Sequence, residues 1–151
     1  MTKKHESRYN GVLIVDKPQD FTSFDVVAKL RGILHERRIG HGGTLDPMAT
    51  GVLPVFVGGA TKAADMAAAQ SKEYIAAFAL GWASDTQDST GTETARSEVR
   101  VTAQQLREAV DNMHGEQEQV PPMYSAVKVN GQRLYDLARK GVEVERKARP
   151  I

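Results

Sequence analysis

Apolar residues occur along this chain in short runs separated by polar and glycine-rich stretches. Short apolar runs bounded by turn-forming residues are typical of strands. Five strands are predicted, at residues 12–15, 53–57, 73–82, 126–129 and 142–145. The first is expected to be buried because all of its residues are apolar, and the third is favoured as a strand by its β-branched and aromatic members.

Other segments have apolar residues at helical spacing. Helices are predicted in four places, at about 23–35, at 61–70, after Thr102 and around Leu134. Two of them begin with the pattern of a capping box, in which a threonine and the residue three positions later bond each other's backbone. These pairs are Thr22 with Asp25 and Thr102 with Gln105. Gly115 is expected to end the helix that follows Thr102.

The pair Asn130-Gly131 is a hairpin signature, but helical spacing resumes at Leu134. The sequence therefore favours a strand, a turn and then a helix at this point. Strands and helices are mixed along the whole chain, which implies an α/β or α+β sheet domain.

Length and composition narrow the class of protein. The chain has 151 residues, of which 40% are hydrophobic and 26% charged, as in a globular domain with its own core. There is no cysteine, which excludes disulfides, thiolate nucleophiles and cysteine metal sites. Residues 1–10 are polar and lack a signal-peptide core, so we expect a flexible N-terminal arm on a cytoplasmic protein without a membrane span.

The net charge is only +1, but basic residues are concentrated near the end of the chain. Between residues 128 and 149, seven basic side chains face three acidic ones. Such a local excess neutralises phosphates in nucleic-acid-binding proteins, and it is also common on a solvated helix face. The charge pattern by itself leaves both interpretations open.

The stretch from Gly40 to Gly51 is the strongest candidate for chemistry. It holds four glycines and a single carboxylate, Asp46, which Pro47 restricts to extended backbone conformations. A catalytic group needs this kind of fixed presentation. The alternative is a structural loop in which Asp46 caps backbone amides.

Several other kinds of site are excluded by spacing. The glycines do not form a dinucleotide fingerprint or a phosphate-binding loop that ends in lysine. Asp85 and Asp88 lack the spacing and the closing glutamate of a calcium loop. The four histidines have no metal-ligand spacing. None of these templates therefore predicts a metal or nucleotide site.

The glycine-rich stretch, Gly40-His41-x-Gly43-x-Leu45-Asp46-Pro47-x-Ala49-x-Gly51, resembles the catalytic motif of the TruB-type tRNA pseudouridine-55 synthases. Three further segments resemble other motifs of this family. They are Gly11-Val12-Leu13-Ile14-Val15-Asp16-Lys17-Pro18 with Thr22-Ser23, Lys72-x-Tyr74 with Asp85-Thr86-x-Asp88, and Pro122-Met123-Tyr124-Ser125-Ala126-Val127-Lys128 with Gly131-x-x-Leu134-Tyr135. The resemblance covers the chain from Asn10 to Ile151.

The resemblance implies an α+β (mixed α/β) pseudouridine synthase fold, with a mixed, largely antiparallel sheet flanked by helices. It implies isomerisation of one uridine in the T-loop of tRNA, at position 55. Asp46 would be the catalytic carboxylate acting on a flipped-out nucleotide. It would add to the base, add to the sugar or abstract a sugar proton, and the residues do not choose among these. No cofactor and no obligate protein partner are expected, and the enzyme is expected to act as a monomer.

The same resemblance assigns binding residues. Tyr74 would stack on the flipped uracil, His41 would fill the vacated place or stack near it, and Lys17 would contact phosphate or support the loop. An insertion at about 120–146 would grip the tRNA. Its phosphate-binding residues would be Lys128, Arg133, Arg139 and Lys140.

The chain also departs from the family pattern. Asp20 stands where the family usually has glycine, and Gly42 stands where threonine is common. The family's catalytic domain is expected to continue beyond Ile151 with a strand whose arginine pairs with the catalytic aspartate, and an RNA-binding PUA domain would follow. Residues 11–151 would then be a partial catalytic domain. The alternative function is therefore a fragment that binds a tRNA stem-loop without catalysis.

Overall fold

The computed structural model describes residues 7–68 and 70–151. It divides into two compact units, Met1–Ile75 and Ala76–Ile151. The predicted arm lies partly outside the described residues, at 1–6. Its described end is bonded to the rest of the first unit, where the Arg8 amide donates to the Glu36 carboxylate at 3.2 Å. None of the helices in the described ranges has the length and apolarity that a bilayer crossing requires.

The first unit is built on a three-stranded antiparallel sheet in the order β1-β3-β2. Its strands are β1 (Gly11–Lys17), β2 (Ile39–His41) and β3 (Gly51–Val57). The predicted strands at 12–15 and 53–57 are confirmed. The expected burial of the first is wrong, because β1 lies at the sheet edge and exposes Val12 and Ile14.

Helix α1 (Ser23–Leu34) packs on this sheet and forms the core with it. The predicted capping box is present, and His35 ends the helix in the left-handed conformation, with φ 49°. The core joins valines of the helix to the inward residues of β2 and β3. Its buried members are Val26, Val27, Ile39, Leu53, Val55 and Val57. Leu45, from the loop between β2 and β3, packs against this core.

After β3 the chain forms a 3-10 helix (Gly58–Ala63) and then helix α2 (Ala64–Ala68), where one longer helix at 61–70 was predicted. The predicted strand at 73–82 is wrong, because residues 71–79 have no regular secondary structure. The apolar pattern is present, but a strand also needs a partner to receive its backbone hydrogen bonds. No described strand pairs with this segment, and Ile75 is 99% exposed.

The second unit consists of short antiparallel pairs and two helices. β4 (Trp82–Ser84) pairs with β5 (Glu93–Arg96), β6 (Glu118–Gln119) with β9 (Arg149–Pro150), and β7 (Lys128–Val129) with β8 (Gln132–Arg133). The helices are α3 (Ala103–Asp111) and α4 (Leu134–Ala138). All sheet pairs in the described ranges are antiparallel, so the predicted α+β class is confirmed.

Several predicted boundaries in this unit are wrong. Helix α3 begins at its predicted capping box but ends at Asp111, well before Gly115. The predicted strand at 142–145 is not formed. The strand in this region is β9 (Arg149–Pro150), which pairs with β6. Asn130 and Gly131, both with positive φ, join β7 to β8 in a hairpin, and α4 follows at once. The turn and the helix were predicted, but the second hairpin strand was not.

Candidate active site

The loop between β2 and β3 carries the candidate carboxylate. β2 ends at His41 and β3 begins at Gly51, so the sheet holds both ends of the loop. Within it, the Ala49 amide donates to the Asp46 carbonyl at 3.0 Å and closes a turn. The Asp46 side chain is exposed, and it has no hydrogen bond or ion pair with the described residues. The carboxylate therefore faces solvent and does not cap backbone amides.

The residue that follows Asp46 is held by the connection between β1 and α1. The Pro47 carbonyl accepts a 2.8 Å hydrogen bond from the Asp20 amide and a 3.3 Å hydrogen bond from Lys17 Nζ. Asp20 adopts a left-handed conformation, with φ 66°. This conformation explains why glycine suits the position, and aspartate is among the few other residues that adopt it readily.

Lys17 is fully buried, with 0% of its surface exposed. Its Nζ donates to the carbonyls of Phe21 at 2.6 Å, Pro18 at 3.0 Å and Pro47 at 3.3 Å. Three backbone acceptors use the donor capacity of an ammonium group. Of the two roles expected for Lys17, this geometry provides loop support and leaves the ammonium no exposed surface for a phosphate.

Ser23 holds the residue that precedes Asp46. Its Oγ accepts a 2.9 Å hydrogen bond from the Leu45 amide and lies 3.4 Å from the Leu45 carbonyl, to which it donates. Ser23 is the first residue of α1 and is only 3% exposed. Sequence reasoning assigned it no role. The available signals were its position directly after the capping threonine and its place in the segment with Thr22 that resembles a family motif.

The capping box of α1 belongs to the same connection. The Thr22 amide and hydroxyl donate to Asp25 Oδ2 at 2.8 and 2.6 Å, and the Asp25 amide donates to Thr22 Oγ1 at 3.0 Å. The hydrogen bonds from the Thr22 side chain and backbone hold the pKa of Asp25 below its ordinary value, and the charge of Lys17 lowers that pKa further.

His41 is half-buried at the end of β2, and its Nδ1 is buried without a partner among the described residues. The next residue, Gly42, fits a confined place. A Cβ on Gly42 would lie 2.8 Å from both Ala67 Cβ and a ring carbon of Phe56. This packing explains why threonine does not stand here.

Tyr74 lies on the irregular segment 71–79 and is 65% exposed. No hydrogen bond in the described part of the chain joins the side chains of Tyr74, His41 and Asp46. Lys72, from the same segment, lies beside the loop, with its Cε 4.0 Å from an ideal Cβ on Gly43. The described residues contain no group of His, Cys, Asp or Glu that could hold a metal ion.

The four predicted phosphate-binding residues come together in the second unit. They line one open depression of about 500 Å³ with Gly131, Gln132 and Asp136. Its charged members are Lys128, Arg133, Arg139, Lys140 and Asp136. Four cations therefore surround a single carboxylate, which leaves the depression strongly positive.

Tyr135 organises two of these cations. Its ring lies beneath the guanidinium groups of Arg133, at 5.7 Å, and Arg139, at 5.4 Å. Its hydroxyl also accepts a 2.6 Å hydrogen bond from Arg133 Nη1. Stacking on an aromatic face restrains an arginine while leaving donors available to a ligand.

Comparison with known proteins places these features in a family. The family model of the TruB family pseudouridylate synthase N-terminal domain matches residues 31–151. The tRNA pseudouridine synthase B of Clostridium kluyveri is 51% identical over 142 residues, covering 94% of this chain and 49% of that protein. That of Clostridium novyi is 52% identical over 142 residues, with the same shares covered.

A solved structure resembles the chain as well. The crystal structure of a Cbf5-Nop10-Gar1 complex matches 78% of this chain and 31% of the compared chain, with 30% identity and a TM-score of 0.53. The chain spans about half the length of the curated relatives it matches. Since the family model covers both the Asp46 loop and the whole second unit, the chain belongs to the TruB family of pseudouridylate synthases.

Proposed function

We propose that this chain provides the catalytic loop of an enzyme that isomerises a uridine in the T-loop of tRNA to pseudouridine. The single observation that carries the proposal is Asp46, an exposed carboxylate inside the family's motif. It has no partner in the part of the chain that the structure describes, and the residues on both sides of it are held. Relatives that are about half identical are named tRNA pseudouridine synthase B, which supports the same substrate class.

The reaction exchanges one bond to the ribose for another. The bond between C1′ and N1 of uridine breaks, the uracil turns, and a bond between C1′ and C5 forms. The proton on C5 is released and N1 gains one, so no oxidant, reductant or second substrate is consumed. An ionised carboxylate serves this chemistry as a nucleophile toward the base or the sugar, or as a base toward the sugar. Asp46 is assigned this role.

The target base has to leave its stack to reach Asp46. Tyr74 is proposed to stack against the flipped uracil, because an exposed ring offers a π-face to a base. His41 borders the loop at the end of β2 and is proposed to contact the nucleotide or fill the place that the base vacates. Its unpartnered Nδ1 is consistent with a role toward a ligand.

The basic depression is proposed to bind tRNA phosphates. Its cations lie on one hairpin and directly after the helix that follows it, and Tyr135 contacts two of them. Contacts of this kind position an RNA and do not read its sequence. The depression would therefore supply affinity, while the choice of uridine would depend on the shape of the T-loop and the site around Asp46.

The proposal is tested by tritium release from tRNA that contains 5-tritiated uridine. The assay uses this chain and a chimera extended by the C-terminal half of the Clostridium kluyveri relative. We expect Asp46→Asn to abolish tritium release, because the change removes the carboxylate charge. The affinity for tRNA should stay within a few-fold, because the side chain is exposed. The matched control is Asp65→Asn, which changes an exposed carboxylate on α2. This variant should remain active.

The second candidate function is tRNA stem-loop binding without catalysis. It is favoured by one observation, that Lys128, Arg133, Arg139 and Lys140 line the basic depression of the second unit. If the chimera releases tritium and this chain does not, the result would support binding without catalysis for this chain. Continued release by the Asp46→Asn chimera would show that the catalytic assignment is wrong.

A further inference from the structure

Two sets of contacts flank Asp46 along the backbone. On the C-terminal side, the Pro47 carbonyl is held by Lys17 and Asp20. On the N-terminal side, both backbone polar groups of Leu45 meet the single hydroxyl of Ser23. The Leu45 side chain also packs against the core. The backbone before and after Asp46 is therefore attached to the rigid part of the unit, while its side chain stays exposed.

The hydroxyl of Ser23 does not contribute to capping α1. The cap is made by Thr22 and Asp25, which bond each other's backbone and leave Ser23 outside the box. The Ser23 hydroxyl instead spans 22 residues of sequence to reach Leu45. A buried hydroxyl with both of its partners on the residue beside a candidate catalytic group is well placed to fix the direction of that group.

We infer that Ser23 is a positioning residue for Asp46: its hydroxyl fixes the Leu45 backbone and thereby the direction in which the carboxylate meets the nucleotide. This inference rests on the proposed catalytic role of Asp46. Ser23 acts through Leu45 and does not touch the substrate itself. Its loss should lower the rate of the chemical step without weakening tRNA binding, because the basic depression is untouched.

The magnitude follows from the sensitivity of catalysis to geometry. Misplacement of a reacting group by about 1 Å lowers a rate by about 10²-fold. Without the hydroxyl, the Leu45 amide has no acceptor in the described structure and the loop is free to shift toward one. We expect Ser23→Ala to lower the single-turnover rate of tritium release by about 10- to 100-fold.

The experiment compares Ser23→Ala with Thr22→Ala in whichever form of the protein, chain or chimera, releases tritium. Thr22→Ala weakens the same end of the helix by removing its cap, but leaves the contact between Ser23 and Leu45 in place. Single-turnover rates are measured with enzyme saturating over tRNA, and tRNA affinity is measured separately. Amide hydrogen exchange at Leu45 reports the contact directly, with no need for activity.

We expect Ser23→Ala to slow tritium release and to accelerate exchange of the Leu45 amide. Thr22→Ala should have smaller effects on both. Ser23→Cys controls for the cavity that alanine leaves, because its somewhat larger thiol fills the space but is a weaker hydrogen-bond acceptor. It should show the same slowing. If Ser23→Ala, Ser23→Cys and Thr22→Ala release tritium at equal single-turnover rates, the positioning role of Ser23 is wrong. Asp46→Asn, assayed in parallel, separates this outcome from failure of the proposed function, which would appear as release by that variant.

Discussion

Lys17 and Pro47 are 30 residues apart in the sequence, yet the Nζ of Lys17 lies 3.3 Å from the Pro47 carbonyl. The contact joins the end of β1 to the loop that carries Asp46. It also explains how a lysine can be completely buried here, because a buried ammonium is tolerated when backbone acceptors satisfy it. The β1 strand and the loop that carries Asp46 are thus coupled through one side chain.

Lys17→Met should destabilise the protein without changing RNA binding. The substitution keeps the aliphatic packing but removes the Lys17 donor from the carbonyls of Pro18 and Phe21. The Pro47 carbonyl also loses Lys17 but keeps the Asp20 amide. Unsatisfied buried groups cost about 1–3 kcal/mol, so the free energy of unfolding should fall by about that amount in urea denaturation. The control is Lys29→Met, on the exposed face of α1. Its free energy of unfolding should stay within about 0.5 kcal/mol of that of the parent protein. A weakened tRNA affinity with unchanged stability would mean that Lys17 reaches a phosphate.

Gly42→Ala should destabilise the first unit. The added Cβ would meet Ala67 Cβ and the Phe56 ring at 2.8 Å, so the neighbouring atoms have to move. Overpacking of this kind costs about 1–3 kcal/mol, measurable as a lower free energy of unfolding. Gly43→Ala is the matched control, because a Cβ there meets nothing closer than Lys72 Cε at 4.0 Å. The packing argument is wrong if the two variants are equally stable.

Lys128→Ala combined with Arg133→Ala should flatten the salt dependence of tRNA binding. Each lost phosphate contact reduces the slope of log affinity against log salt by about 0.7–0.9, so the double variant should lose about 1.4–1.8. Arg107→Ala, on α3 and outside the depression, should leave the slope unchanged. Asp136→Asn should strengthen binding, because it removes the only carboxylate that lines the depression. An unchanged slope in the double variant would remove these residues from the interface.

The capping box of α1 should make stability depend on pH. The pKa of Asp25 is lower in the folded protein than in the unfolded chain, where it is about 4. Its contribution is therefore fully present above about pH 4 and is lost as the pH falls through the lower folded value. Asp25→Asn should reduce the unfolding temperature at neutral pH and have a smaller effect in strong acid. Gln105→Ala in the second box is the control, because glutamine does not titrate and its effect should not follow this profile.

Local sequence determined the features that depend on neighbouring residues. Both capping boxes, the start of α1 and the turn at Asn130-Gly131 stand where the residue types put them, because their hydrogen bonds close within a few positions. The motif around Asp46 was likewise readable, since glycine and proline limit the backbone directly.

Tertiary structure decided what depends on partners distant in sequence. The segment 71–79 has no strand partner among the described residues and stays irregular. β6 pairs with Arg149–Pro150, and the predicted strand at 142–145 does not form. The contact of Ser23 with Leu45 was not predicted, and for Lys17 the family resemblance had left loop support and phosphate contact both open. A residue pattern records which side chains favour burial or a turn, whereas a hydrogen bond across 22 or 30 residues exists only once the sheet and α1 have brought its two ends together.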